Sequence, residues 1–214
     1  MVEKMNESFS KEKEEQIISA ARKVFARYGY SKTTMEDISA AVEMGKASLY
    51  YYFPNKENLF HAAVLHEQGE FINKASVILK KQNSAEKKLK TYVEERLVFF
   101  QELVNLGALS FSTGHDKYSV SHKIYESFAE KEIEIIDSII QEGINKGEFD
   151  PAISPRYPGL LIHLLQGLRL KTIKTINIVG MDQKIYKELQ KEMLMTIELF
   201  IKGIKKNKVA KGVN

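Results

Sequence analysis

Apolar residues recur every three or four positions along nearly the whole chain, and nowhere do they alternate strictly as a half-buried strand requires. The pattern predicts helices throughout. Ile17, Ala21, Val24, Phe25 and Tyr28 share one face of a first helix that starts near Ser10 and stops at Gly29. Glu12, Glu14 and Glu15 in its opening turns suit the positive end of the helix dipole. Thr33 and Glu36 have the spacing of a capping box for a second helix, whose inner face is Met35, Ile38, Ala41 and Val42. A tight turn at Val42-Glu43-Met44 leads to a third helix, Lys46 to Tyr52, and Asn55 caps a fourth, about 56–81. A fifth runs from about Ser84 to Leu109, with Leu89, Val93, Leu97, Phe100 and Val104 on one face. A short sixth element is expected near 110–115 and a seventh at about 119–146, ending at Gly147. The eighth begins at Pro155 or Pro158 and reaches Val179, and the ninth covers about 182–205. This is an all-α chain of about nine helices.

The last two helices carry more apolar surface than one chain needs. PGLLIHLLQGLRL is apolar almost all round, and the ninth helix has a stripe at Ile185, Leu189, Met193, Ile197, Phe200 and Ile204. A two-fold dimer that builds a four-helix bundle from two copies uses such faces. The expected interface is Leu161, Leu165, Leu168, Met193, Ile197 and Phe200; the bland alternative is an ordinary core within one chain.

The second and third helices, joined by a tight turn, have the layout of a helix-turn-helix, whose second helix enters the major groove of DNA. That helix displays Lys46, Ser48, Tyr50 and Tyr51, side chains suited to phosphates and base edges. Leu49 and Phe53 fall to the core, because consecutive residues turn by about 100° and cannot all face one way. Lys46 and Lys56 each sit in the first turn of a helix, where a cation is disfavoured unless a phosphate binds there. Thr34 offers a hydroxyl and a backbone N–H to a phosphate.

Charge alone does not find this motif. The chain of 214 residues carries a net charge of +4, yet residues 1–60 hold nine Lys/Arg against nine Asp/Glu. Phosphate attraction must come from local placement. The absence of Cys removes disulfides, thiol nucleophiles and cysteine-bound metals, and agrees with a cytoplasmic protein. The polar opening MVEKMNESFSKEKEE is not a signal peptide, and no apolar run is long enough to span a membrane. The five histidines are scattered without metal-ligand spacing, and neither a P-loop nor a nucleophile elbow occurs. No catalytic residue, metal or cofactor is expected, and the chain does not read as an enzyme.

From about Lys11 to Phe60 the sequence resembles the DNA-binding domain of the TetR family of bacterial transcriptional regulators. The stretches that carry the resemblance are AARKVFARYGYSKTTMEDIS (Ala20 to Ser39) and KASLYYYFPNKENLF (Lys46 to Phe60). Glu43 stands where the family usually has glycine, which implies a turn position that often needs a positive φ, at a cost of about 1 kcal/mol for a non-glycine residue, and Gly45 stands where the family often has a serine cap. The resemblance implies an N-terminal three-helix DNA-binding domain, residues 1–55, and a helical domain for effector binding and dimerisation, residues 56–214. It implies that Tyr50 and Tyr51 touch DNA, that two copies bind a palindromic operator, and that a small molecule is held in the helical body.

The body's own residues suit such a pocket. Phe99, Phe100, Phe111, Tyr125 and Phe128 recur at helical spacing, which is ordinarily core. Arg96, His163 and Gln166 are polar groups on otherwise apolar faces, and buried polar groups need partners. The expected effector has a large apolar part and one anionic or hydrogen-bonding end. The leading reading is a ligand-responsive repressor released from its operator by a small molecule. The alternative is a factor of the same fold controlled by a protein partner.

Overall fold

The computed structural model describes the backbone of residues 2–105, 120–173 and 182–206, and side chains over 9–103, 126–172 and 182–206. The described residues contain eight helices and no strand: α1 (Val2–Lys32), α2 (Met35–Ala41), α3 (Lys46–Tyr52), α4 (Lys56–Lys80), α5 (Ala85–Asn105), α6 (Val120–Asn145), α7 (Tyr157–Ile173) and α8 (Gln183–Ile204). The expected sixth element near 110–115, and the stretch of the eighth expected helix beyond 173, lie outside the described residues. No described helix is long and apolar enough to cross a membrane. The chain divides into two compact units, Met1–Glu70 with Phe99–His122, and Phe71–Val98 with Lys123–Asn214.

In the first unit α1 starts at Val2, earlier than the expected Ser10. Gly29 leaves the helical range at φ 76 and breaks it, with one further turn following. That turn is closed by Thr33, which is buried and donates its backbone N–H (3.2 Å) and its hydroxyl (2.8 Å) to the Gly29 carbonyl. Ile17, Ala21, Val24 and Phe25 are buried as the pattern predicts, while Tyr28 turns out to solvent.

The capping box sits one residue later than expected. Thr34, not Thr33, is the N-cap of α2, and Asp37, not Glu36, completes the box. Thr33 is unavailable because it is committed to Gly29. Met35 and Ile38 face inward with Ser39, whereas Ala41 is exposed and Val42 half-buried. The Ser39 hydroxyl donates to the Met44 carbonyl (2.5 Å) and ties the turn together. Glu43 takes φ 55. Asn55 Oδ1 accepts from the Asn58 N–H at 2.8 Å and caps α4. Phe60 of α4 packs edge-on to Phe25, ring centroids 5.0 Å apart.

In the second unit Gly147 (φ 73) ends α6. The Glu148 carboxylate accepts from the N–H groups of Ala85 (3.1 Å) and Glu86 (3.3 Å) and caps the start of α5. The end of α8 docks on the same loop, where Asp150 N–H donates to the Ile204 carbonyl at 2.9 Å. Buried Phe149 fills the space beside Gly143, where an added Cβ would lie 2.2 Å from its ring.

α7 packs along α8 and uses the stripe expected for the dimer. Leu161, Leu165, Met193, Ile197 and Phe200 are all buried within one chain, and Leu168 is half-buried. Phe200 packs on Tyr157, ring centroids 5.9 Å apart. The five buried side chains form an intrachain core, the alternative weighed for them from the sequence, while Leu168 stays partly open. The apolar side chains left open are their neighbours Leu160, Leu164 and Leu170 on α7 and Met195 and Leu199 on α8.

Candidate nucleic-acid interface

α3 is a seven-residue helix that cannot hold itself in water, so its placement depends on what it leans on. Leu49 is fully buried and Phe53, just past its end, is 8% exposed. That anchoring turns Ser48, Tyr50 and Tyr51 outward, and Tyr51 is 82% exposed. The Tyr51 ring stands edge-on to Tyr52, centroids 5.2 Å apart, which stiffens the display. Gly45 caps α3 without a side-chain bond. Exposed phenol and hydroxyl groups on a helix seated by two apolar anchors give a rigid polar face.

The charged neighbours are less free than their positions imply. Lys46 is ion-paired with Glu36 of α2, both half-exposed. The hydrogen bond from Lys46 holds the Glu36 carboxyl below the usual range, and the same bond raises the Lys46 ammonium. The hydroxyl and N–H of Thr34 both donate to Asp37 Oδ2, at 2.7 and 2.9 Å, so the capping box engages the donors expected to meet a phosphate. Those bonds hold the Asp37 carboxyl below its usual range. The Lys56 ammonium donates to the carbonyls of Tyr30 and Thr33, each at 2.9 Å. Glu36 does not announce itself as the partner of Lys46 in the sequence, because surface pairing across a turn has no fixed spacing, whereas Asp37 stands at capping-box spacing from Thr34.

Phe9, Ser10 and Lys13 of α1 flank α3 across a groove of about 1090 Å³, whose other wall includes Met44, Gly45, Ser48 and Tyr51. The apolar periodicity that marks α1 begins only at Ile17, so nothing in it shows these earlier turns beside the displayed face.

The residues expected to meet an effector are distributed differently from the prediction. In the second unit Arg96 is buried and bonded to Glu132 in a bidentate pair, Nε–Oε1 2.5 Å and Nη2–Oε2 3.1 Å. Tyr92 donates its hydroxyl to the same carboxylate at 2.8 Å. Burial pulls the Arg96 pKa down, but the charge and hydrogen bonds of Glu132 outweigh it and leave it raised. Burial first, then Glu132, pushes the Tyr92 phenol well up. Arg96 is therefore no open handle for an anion. Phe128 packs on Phe71, centroids 5.9 Å apart, and Phe71 on Tyr92 at 5.7 Å. His163 is exposed on α7 rather than buried, because the buried side of that helix is Leu161, Ile162 and Leu165; Gln166 is half-buried. In the first unit Phe99 and Phe100 are buried. Phe111 and the side chain of Tyr125 lie outside the described residues.

Residues 17–63 match the family model for bacterial regulatory proteins of the tetR family, and residues 65–203 match that of the C-terminal region of YsiA-like proteins. A transcriptional regulator from Cytophaga hutchinsonii is 42% identical and superposes with a TM-score of 0.83 over 90% of this chain and 98% of its own. The fatty acid metabolism regulator protein of Bacillus subtilis is 26% identical over 191 residues, 88% of this chain and 94% of that protein. The structure of FadR from Bacillus subtilis in complex with stearoyl-CoA shares the fold, with a TM-score of 0.63 at 23% identity, over 88% of this chain and 98% of its own. The all-helical architecture, the helix-turn-helix and the two family matches place this chain in the TetR family of DNA-binding transcriptional regulators.

Proposed function

We propose that this protein is a homodimeric repressor that leaves a palindromic operator when an acyl-type small molecule binds its body. The observation that carries the DNA-reading part is the outward face of α3. Ser48, Tyr50 and Tyr51 stand in solvent while Leu49 and Phe53 fix the helix beneath them. Lys46 reaches a phosphate by exchanging its exposed Glu36 partner for the DNA backbone. Such exchange is inexpensive, because exposed ion pairs contribute little.

The dimer is supported by the open apolar side chains Leu160, Leu164, Leu170, Met195 and Leu199. Exposed aliphatic side chains grouped on two packed helices are what an association site offers. A palindromic operator requires the two α3 helices of such a dimer to enter successive major grooves, about 34 Å apart.

The ligand class is supported by the relative named as a fatty acid metabolism regulator and by the fold neighbour holding stearoyl-CoA. With Arg96 closed by Glu132, the polar handle lies elsewhere. Gln68 is our choice for it: it is buried, and among the described residues its Nε2 has no hydrogen-bond partner. A buried amide left unpaired costs about 1–3 kcal/mol, which a ligand carbonyl or a water recovers.

The test uses a duplex selected by the protein from a random-sequence pool. Tyr50→Ala with Tyr51→Ala is expected to weaken binding more than tenfold, the equivalent of about 1.4 kcal/mol, at unchanged melting temperature. Long-chain acyl-CoA thioesters are expected to raise the melting temperature and release the duplex. Unchanged affinity in the folded double variant refutes the reading face. Acyl thioesters that neither stabilise the protein nor release DNA refute the ligand class.

A further inference from the structure

We propose that Lys56 is a positioning residue rather than a phosphate contact: its ammonium fastens the first turn of α4 to the end of α1 and so sets where α2 and α3 stand against DNA. The inference rests on the DNA-reading function of α3 proposed above.

An ammonium has three N–H donors. Two are spent on the carbonyls of Tyr30 and Thr33, each at 2.9 Å, and Nζ lies 4.4 Å from the centroid of the Tyr30 ring. Both carbonyls belong to the turn that follows the break at Gly29, where helix ends leave acceptors without partners. A cation there meets the negative end of a helix, which offsets its unfavourable place at the start of α4. No phosphate is needed to explain a lysine at this position.

The grip is reinforced on both sides. The Tyr30 ring lies 4.8 Å from Phe60, one turn along α4 from Lys56, and 6.0 Å from Phe25 of α1. Burial, helped by the Glu57 carboxylate, raises the Tyr30 phenol above its ordinary range. On the other side, Thr33 immediately precedes Thr34, the N-cap of α2. Holding the Thr33 carbonyl therefore fixes the point from which α2, the Glu43 turn and α3 depart. Further along α4 a second fastening joins the same helices. Arg22 Nε donates to Glu67 Oε1 at 2.6 Å, and Arg22 Nη1 lies 3.3 Å from His66 Nδ1. Two fastenings make α1 and the start of α4 one lever, so a rotation of α4 is delivered to α2 through Lys56.

The experiment compares Lys56→Met and Lys56→Arg with the unaltered full chain, on the selected duplex and on a scrambled duplex of equal length, over a range of salt concentrations. Lys56→Met is expected to weaken the selected duplex about tenfold at every salt concentration, the scale of one misaligned base contact, with no change on the scrambled duplex. Its logarithmic salt slope is expected to stay that of the wild type. Lys56→Arg is expected not to rescue, because a planar fork cannot satisfy two carbonyls and the ring from one point. A slope shallower by about 0.9, with affinity restored by arginine, identifies a phosphate contact and overturns the proposal. A lower melting temperature with unchanged affinity of the folded fraction overturns it as well. Should Lys56→Met fail to fold, Tyr30→Leu removes the ring and keeps the charge. It is expected to weaken the selected duplex at unchanged salt slope, and unchanged affinity overturns the proposal. Tyr51→Ala run beside these separates the two ideas: no effect there refutes the reading face, whatever Lys56 does.

Discussion

The outward face of α3 and the outward face of α7 and α8 both hold large side chains in solvent above a buried stripe, yet they are built from opposite chemistry. α3 shows phenols, Tyr50 and Tyr51, with Ser48 beside them. α7 and α8 show Leu160, Leu164, Leu170, Met195 and Leu199, none of which can make a hydrogen bond. A phenol remains satisfied against water, a phosphate or a base edge; an aliphatic side chain gains only by leaving water. Exposure is common to both faces, so it is the hydrogen-bonding capacity of the exposed groups that separates a wet polyanion partner from a dry apolar one.

The strongest way to break that comparison is to charge the aliphatic face. Leu164→Glu with Leu199→Glu is expected to give folded monomers in sedimentation. Operator affinity is expected to fall by about 10²-fold or more, because two half-sites are no longer engaged together. A variant that remains a dimer places the association surface elsewhere. Moving the charge one residue along α8 changes the outcome in kind. Phe200→Glu puts a carboxylate against Tyr157 inside the chain and is expected to cost about 3–5 kcal/mol of stability, read as a collapse of the melting transition. If Phe200→Glu instead yields a stable monomer, the intrachain assignment of the stripe is wrong.

A smaller effect sharpens the other face. Glu36→Gln removes the partner that holds Lys46. Duplex affinity is expected to rise about threefold, with a steeper salt dependence, because the freed ammonium adds one phosphate contact. Stability is expected to stay level, since an exposed pair is worth little. Weaker binding in Glu36→Gln shows that Glu36 positions Lys46 rather than competing for it.

What the sequence made legible follows the range of the interactions. Gly29, Asn55 and Gly147 act within a few residues of themselves, and each does what its type and position predict, whereas Glu43 takes the positive φ of its position against the preference of its type. The capping box was off by one because Thr33 and Thr34 both precede an acid by three residues; only the demand of the Gly29 carbonyl on Thr33 decides between them. Arg96 read as a handle because its partner Glu132 is 36 positions away on another helix, and no spacing rule joins them. On α7 and α8 the pattern identified two rich apolar helices but not which leucines one chain keeps for itself. Inward and outward faces are both apolar there, so periodicity has no contrast to read. The same lack of contrast never arises on α3, where buried Leu49 is flanked by hydroxyl-bearing side chains and Phe53 follows just past the helix end.

Acid separates the two regions in a last and weaker way. The open side chains of α7 and α8 named above carry no titrating group. In the first unit, His61 of α4 is buried, which lowers its pKa, although the Glu57 carboxylate 3.9 Å away opposes the shift. An unfolded histidine takes its proton near pH ~6.5. With the folded pKa below that, the unfolded state binds the proton first as pH falls. The contribution of neutral His61 to stability is therefore complete above the unfolded pKa and is lost through the window between the two values. The melting temperature is expected to fall from neutrality towards pH 5, by no more than the ~1.4 kcal/mol per pH unit that one proton supplies. His61→Gln is expected to flatten that slope, and the Leu164→Glu, Leu199→Glu monomer to keep it. If the monomer alone loses the slope, the acid-sensitive group belongs to the apolar face and not to the unit that carries α3.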